Sequence, residues 1–204
     1  MARQRLATLL FPEFELLDVF GPLEMFGMFP EEFDLRMIAE GAEPVASTQG
    51  PRSTIDSVLE KTPAPDILLV PGGRGTRREV DNPALIGWLR EVGMRSGLIT
   101  SVCTGSALLA RAGVLDGRRA TTNKLAFDEI TPFGPNTDWV SRARWVEDGP
   151  VITASGVSAG IDMSLAVIAQ VLGPEAARDA ALWAEYEANT DPDNDPFALQ
   201  EATP

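Results

Sequence analysis

Short apolar runs that alternate with amphipathic helical patterns constrain this chain more than any other feature. Leu6 to Phe11, Phe33 to Ala39, Ile67 to Val70 and Leu98 to Val102 read as buried strands punctuated by Gly, Pro and Asp. Leu16 to Phe29 carries an apolar helical face, with Pro22 placing the helix start near Asp18 to Pro22. Asn82-Pro83 opens a helix running to about Arg95, and Thr104 to Ala112 forms another, stopped by Gly113. Trp139 to Val146 and Val151 to Ala154 flank Glu147-Asp148-Gly149-Pro150 as a hairpin. Ser158 to Leu172 is apolar on nearly every side and predicts a buried helix, and Pro174 to Tyr186 predicts a last one. Parallel strands need helical crossovers, so this order predicts an α/β fold: a single-domain, mostly parallel sheet sandwiched by helices. The domain is expected over 1–188, with 189–204, rich in Asp, Pro and Asn, as an acidic flexible tail.

Ligands of such sheets bind beyond the carboxyl ends of the strands. Three segments end there: Phe11-Pro12, Val70-Pro71-Gly72-Gly73 and Val102-Cys103. The chain has one cysteine and no histidine. Intrachain disulfides, zinc sites of paired cysteines and histidines, and Cys-His or Ser-His-Asp catalysis within one chain are therefore excluded. What remains for chemistry is a lone thiol, carboxylates, hydroxyls and backbone dipoles; no metal and no cofactor is expected. The net charge of −13 disfavours nucleic acid as a partner. Seven of the 30 acids and none of the 17 bases lie after Arg178, so the last 26 residues carry −7 and the body only −6. No apolar stretch reaches the roughly 18 residues that span a bilayer, and Pro12-Glu13 interrupts the apolar N-terminal run before it can serve as a secretory signal. A cytoplasmic protein that handles a small molecule and binds no membrane is expected.

The strongest local signal is Leu98-Ile99-Thr100-Ser101-Val102-Cys103-Thr104-Gly105-Ser106-Ala107. A strand ends, a cysteine follows, small residues permit a sharp turn, and a helix starts. This is the pattern of a nucleophile elbow, in which the helix N-terminus is expected to favour the thiolate. A buried structural cysteine is the competing reading. The backbone N–H groups of Gly73, Arg74 and Thr104, beside the sulfur, are candidates to hold developing negative charge. Pro71-Gly72-Gly73 reads equally as a tight turn, and Gly156-Val157-Ser158 as a pocket lining or as a helix entry capped by Ser158. Arg74, Arg77 and Arg78 suit either an anionic ligand or a solvated face.

Phe11-Pro-Glu-Phe-Glu-Leu-Leu-Asp18-Val-Phe-Gly21-Pro22, Val70-Pro-Gly-Gly73, Ser101-Val-Cys103-Thr104-Gly105, Gly113-Val-Leu-Asp-Gly117 and Gly156-Val-Ser-Ala-Gly160-Ile-Asp162 together resemble the ThiJ/PfpI superfamily over about residues 5–187. That resemblance implies a flavodoxin-like, glutamine-amidotransferase-like fold and a homodimer. Asp18 and the Cys103-Thr104 pair are most similar to the isocyanide hydratase branch; branches with a histidine near the cysteine do not match a chain without one. The resemblance implies Cys103 as nucleophile, Asp18 as its proton partner and Thr104 beside them, with Gly72, Asn123, Lys124, Gly156 and Val157 lining the pocket. A carboxyl next to a thiolate is expected to have a raised pKa through repulsion and desolvation; the competing reading of Asp18 is a helix N-cap. Glu24, six residues on, is turned away by about 240° at 3.6 residues per turn. The sequence departs from the branch at Asn123-Lys124, where isocyanide hydratases carry His-Trp. Lys124 reads as a pocket residue or, alternatively, as a solvated surface lysine.

Three functions follow. The first is hydration of an isocyanide to an N-formamide through a covalent thioimidate on Cys103. The second is ligand sensing without turnover, as in the sensor halves of AraC-type regulators that lack here a basic DNA-binding half. The third is redox response through oxidation of Cys103.

Overall fold

The computed structural model describes residues 3–93 and 95–198. Its elements run β1 (Gln4–Leu9), α1 (Leu16–Gly27), β2 (Phe33–Ala39), β3 (Val45–Ala46), β4 (Arg52–Ser53), β5 (Ser57–Val58), β6 (Ile67–Val70), α2 (Thr76–Glu79), α3 (Pro83–Gly93), β7 (Leu98–Ser101), α4 (Gly105–Arg111), β8 (Arg119–Ala120), α5 (Phe127–Ile130), β9 (Asp138–Trp139), β10 (Trp145–Asp148), β11 (Val151–Ala154), α6 (Ala159–Leu172) and α7 (Pro174–Trp183). The main sheet has the order β10-β11-β7-β6-β1-β2-β5 and is parallel except for the antiparallel β10–β11 hairpin. The expected α/β sandwich is thus the observed one.

The register explains the apolar runs. Leu6, Ala7 and Thr8 of β1 lie opposite Ile67, Leu68 and Leu69 of β6, which in turn face Leu98, Ile99 and Thr100 of β7. Strands at the centre of a parallel sheet are buried on both faces and so lose the polar–apolar alternation of a half-exposed strand. Helix α1 packs on α6, which packs on α7; α3 packs on α4. The chain leaves β1 outward to β2 but leaves β6 outward in the opposite direction to β7. Right-handed crossovers then put α1 and α3 on opposite faces of the sheet. The reversal falls between β1 and β6, and the loops after these strands meet there.

Boundaries shift by a few residues. Asn82 caps α3 through its Oδ1, which accepts from the N–H groups of Ala84 and Leu85 at 3.1 and 3.3 Å. α1 starts at Leu16, ahead of the predicted Asp18. The strand expected over Trp139 to Val146 is two pieces: β9 pairs with β8, and only β10 joins the main sheet.

Between those pieces the chain makes an unforeseen buried ion pair. Arg144 donates through Nε to Asp162 Oδ2 at 2.7 Å, and its Nη2 lies 2.6 Å from the same oxygen. Asp162 Oδ1 accepts from the Tyr186 hydroxyl at 2.9 Å and from the Asn189 N–H at 3.0 Å. Phenol and backbone donors thereby supply the extra hydrogen bonds that a desolvated carboxylate needs.

Within the described residues, the segment expected as an acidic flexible tail packs against the domain. Up to residue 198 it is docked: Pro192 C=O accepts from Arg144 N–H at 2.7 Å, Asp195 N–H donates to Arg142 C=O at 2.8 Å, and Asp195 is buried. The acids that suggested a solvated segment include one that meets a buried cation. Residues 199–204 of the predicted tail lie outside the described residues.

Removing one member of a desolvated pair strands the other, at a cost of about 3–5 kcal/mol. Asp162→Ala is therefore expected to lower unfolding stability by about that amount in urea titration, whereas Glu24→Ala, on an exposed position of α1, is expected to leave it nearly unchanged.

Candidate active site

Cys103 sits between β7 and α4 with φ of 58°, in the left-handed region that non-glycine residues avoid. Such a conformation costs about 1–3 kcal/mol and persists where surroundings over-determine it. Here the backbone is pinned on both sides. Its N–H donates to Ser155 C=O at 2.6 Å. Its C=O accepts from the hydroxyls of Thr122 and Ser106 at 3.0 and 3.2 Å. The elbow geometry read from the sequence is thus present, and the side chain is only 7% exposed.

Glycines clear the space around it. A Cβ on Gly105 would lie 2.7 Å from Pro71 O and closer still to Val70 O. A Cβ on Gly72 would fall 2.6 Å from both Thr104 N and Thr104 Oγ1. A Cβ on Gly156 would stand 3.0 Å from Cys103 Sγ and collide with Asn123 Nδ2. The β6 loop and the β11–α6 turn therefore approach the thiol as closely as backbone can.

Asp18 lies in the first turn of α1, fully buried. It does not cap the helix: Oδ2 accepts from Gly72 N–H at 2.8 Å, while Glu15 occupies the cap position. Burial, more than the neighbouring Glu15 charge, raises the Asp18 pKa well above the ordinary carboxylate value; the Gly72 and Cys103 hydrogen bonds pull the other way. The Cys103 thiol is also pushed up, first by burial and then by the Asp18 charge, against the Thr104 N–H and the Asn123 amide, which favour thiolate. The thiolate-favouring effect expected of the helix terminus is thus opposed by burial of the thiol. Two negative charges side by side in such a site are costlier than one, so the two groups act as a coupled pair that keeps a proton between them.

The other anticipated residues divide. Asn123 meets the thiol with its amide, and its Oδ1 accepts from Ala126 N–H at 3.1 Å, which fixes the orientation. Gly156 lies against the sulfur, and Val157 follows it, half-buried. The anticipated charge-holding donors are already engaged. Gly73 N–H donates to Thr104 Oγ1 at 3.1 Å, and Arg74 N–H faces Thr48 Oγ1 at 3.4 Å. The Thr104 hydroxyl also lies 3.0 Å from Thr76 Oγ1, so it braces the 73–76 loop, and only the Thr104 N–H serves the sulfur. Ser158 does not cap α6; its hydroxyl accepts from Arg144 Nη2 at 3.3 Å.

Lys124 departs from both of its readings. It is buried, so it is no surface lysine, and its ammonium points away from the thiol, donating to Ala143 C=O at 2.6 Å and Thr121 Oγ1 at 2.7 Å. Burial pushes its pKa down to about 8, against the Asp195 charge, which raises it. Arg77 is fully paired in bidentate fashion with Glu129, at 2.7 and 2.6 Å, and joins the α2 side of the site to the α5 side. Arg144, Asp162 and Asp195 were not foreseen, because each taken alone reads as an ordinary surface charge.

A parallel α/β domain with a strained cysteine at the strand-to-helix turn and a buried carboxyl beside it defines a class of cysteine-centred elbow proteins. The chain belongs to the DJ-1/PfpI family, whose model matches residues 4–170. It is 32% identical over 184 residues to an isonitrile hydratase of Pseudomonas putida, covering 89% of this chain and 78% of that protein. It is 34% identical over 173 residues to the HTH-type transcriptional regulator CdhR of Pseudomonas aeruginosa, covering 83% of this chain but only 51% of the regulator. A ThiJ/PfpI family protein from Pseudomonas syringae has the same fold, with a TM-score of 0.84 and 31% identity, covering 97% of this chain and 78% of that one.

Cys103 is expected to react with iodoacetamide faster as pH rises, with a midpoint above that of a free thiol. Asp18→Asn removes the repelling charge, so it is expected to move the midpoint down; a stopped-flow alkylation series on both proteins measures the sign directly.

Proposed function

We propose that this chain is a cysteine-dependent hydratase that adds water to an isocyanide and releases an N-formamide. The observation that carries the reading is the pairing of Cys103 with a buried, proton-holding Asp18 in a chain that has no histidine to do the same work. The 32% identity to an isonitrile hydratase over most of both chains supports it. In the same reading the protein is a cytoplasmic homodimer that needs no cofactor. Among the described residues, no helix is long and apolar enough to cross a membrane.

The chemistry fits the site in detail. Sulfur attacks the terminal carbon of R–N≡C. Charge then develops on carbon, so the site must supply a proton rather than an oxyanion hole, which agrees with the engaged N–H groups of Gly73 and Arg74. Asp18 receives the thiol proton and passes it to that carbon, giving the thioimidate R–N=CH–S–Cys103. Water adds to the same carbon as Asp18 takes one proton from it and passes that proton to nitrogen, giving R–NH–CH(OH)–S–Cys103. The carbon–sulfur bond breaks as the new C=O forms, the remaining proton returns to sulfur, and R–NH–CHO leaves.

Ligand sensing without turnover is the alternative. The observation that favours it is the 34% match to a transcriptional regulator, together with Asn123-Lys124 in place of the residues expected of a hydratase.

Hydration of para-nitrophenyl isocyanide, followed by absorbance, separates the two. Turnover is expected in the unmodified protein, a fall to background in Cys103→Ala, and a loss of about 10²–10⁴-fold in Asp18→Asn. Binding of the isocyanide without any formamide would favour the sensor.

A further inference from the structure

Two walls enclose the sulfur of Cys103, and both are tied to one buried charge cluster. The first wall is Asn123, whose amide nitrogen and the Cys103 sulfur both crowd the space over Gly156, and whose amide favours the thiolate. The adjacent residue, Lys124, anchors it to Ala143 C=O and Thr121 Oγ1. The second wall is Gly156, which lies against the sulfur two residues before Ser158. Arg144 anchors this wall twice: Nη2 donates to the Ser158 hydroxyl, and its C=O accepts from Ser155 N–H at 2.8 Å. Ser155 C=O in turn takes the N–H of Cys103 itself.

Both anchors are cations inside the protein, so each needs a counter-charge. Asp162 supplies one to Arg144. The other comes from the C-terminal segment. Asp195 Oδ1 lies 3.7 Å from Arg144 Nη1, and Asp195 N–H donates to Arg142 C=O, one residue before the Ala143 C=O that takes the Lys124 ammonium; the Asp195 charge favours the charged form of Lys124. Asp195 is only 3% exposed and is held by its own N–H to Arg142 C=O and by Pro192 C=O to Arg144 N–H.

We propose that Asp195 is a positioning residue for Cys103: the segment 189–198 is a strap whose carboxylate holds Lys124 and Arg144, and through them the Asn123 and Gly156 walls of the thiol. The proposal rests on Cys103 being the reacting group, and is independent of which substrate it attacks. Without the carboxylate, two buried cations repel, the 121–124 segment moves outward, and the Asn123 amide leaves the sulfur. The thiolate then loses one hydrogen bond donor.

The test is the rate of Cys103 alkylation by iodoacetamide at fixed pH in the full chain, with the unmodified protein, Asp195→Asn and Asp195→Glu. Asn keeps the size and removes the charge; Glu keeps the charge and changes the size. Asp195→Asn is expected to slow alkylation about fivefold, the worth of one hydrogen bond to sulfur, while Asp195→Glu recovers most of the rate. A space-filling role gives the opposite order, and that order, or an unchanged or faster rate in Asp195→Asn, overturns the proposal. Lys124→Met reads the same link from its other end if Asp195→Asn does not fold: slowing is expected, and an unmoved rate overturns the proposal. A thiol inert in the unmodified protein would instead overturn the assignment of Cys103 as the reacting group, and the strap with it.

Discussion

The rest of the site depends on one backbone turn, at Cys103, held in the left-handed region with φ of 58°. Three hydrogen bonds to its own N–H and C=O keep it there, from β11, from the 120s loop and from the start of α4. A straight exit from β7 would carry the side chain back into the sheet. The turn instead presents the sulfur at the carboxyl edge, where the reversal of strand order brings the loops of β1 and β6 together. Gly72, Gly105 and Gly156 are consequences of the same constraint, since a Cβ at any of them would meet the elbow or the loop packed on it.

Burial then sets the electrostatics. Asp18 and Cys103 are both desolvated; the Asp18 charge makes ionisation of the thiol more costly, while the neutral thiol eases ionisation of Asp18. The pair is suited to moving a proton a short distance between sulfur, carbon and water, and poorly suited to holding a free thiolate at rest. That distinguishes it from an exposed redox thiol, whose reactivity depends on a low pKa and easy access. The hydrogen bonds from Thr104 N–H and the Asn123 amide work against desolvation and recover part of the nucleophilicity.

Much of this was legible in the sequence. Continuous apolar runs revealed central parallel strands, and small residues around Cys103 revealed the elbow, because both are local patterns with a steric cause. A raised Asp18 pKa was expected from burial and from repulsion by a neighbouring thiolate; burial and the Glu15 charge raise it, and Cys103 acts in the opposite direction. What the sequence concealed was pairing at long range. Whether Gly73 N–H is free depends on a hydroxyl 31 positions away. Lys124 reads as a surface residue until Ala143 and Thr121 take its ammonium, and the acidic stretch after 188 reads as solvated until Asp195 is seen against Arg144. Charged residues are exposed in most contexts, so a buried ion cluster assembled from four separate segments leaves no periodic trace.

The central claim is that Asp18 and Cys103 hold one proton between them, and isotope-edited infrared spectroscopy of the Asp18 carboxyl tests it most directly. The protonated C=O band of Asp18 is predicted to persist well above the ordinary carboxylate range, and to persist to higher pH still in Cys103→Ala, which removes the thiol hydrogen bond that favours the carboxylate. A band that titrates at the ordinary carboxylate value and is indifferent to Cys103 would contradict the account.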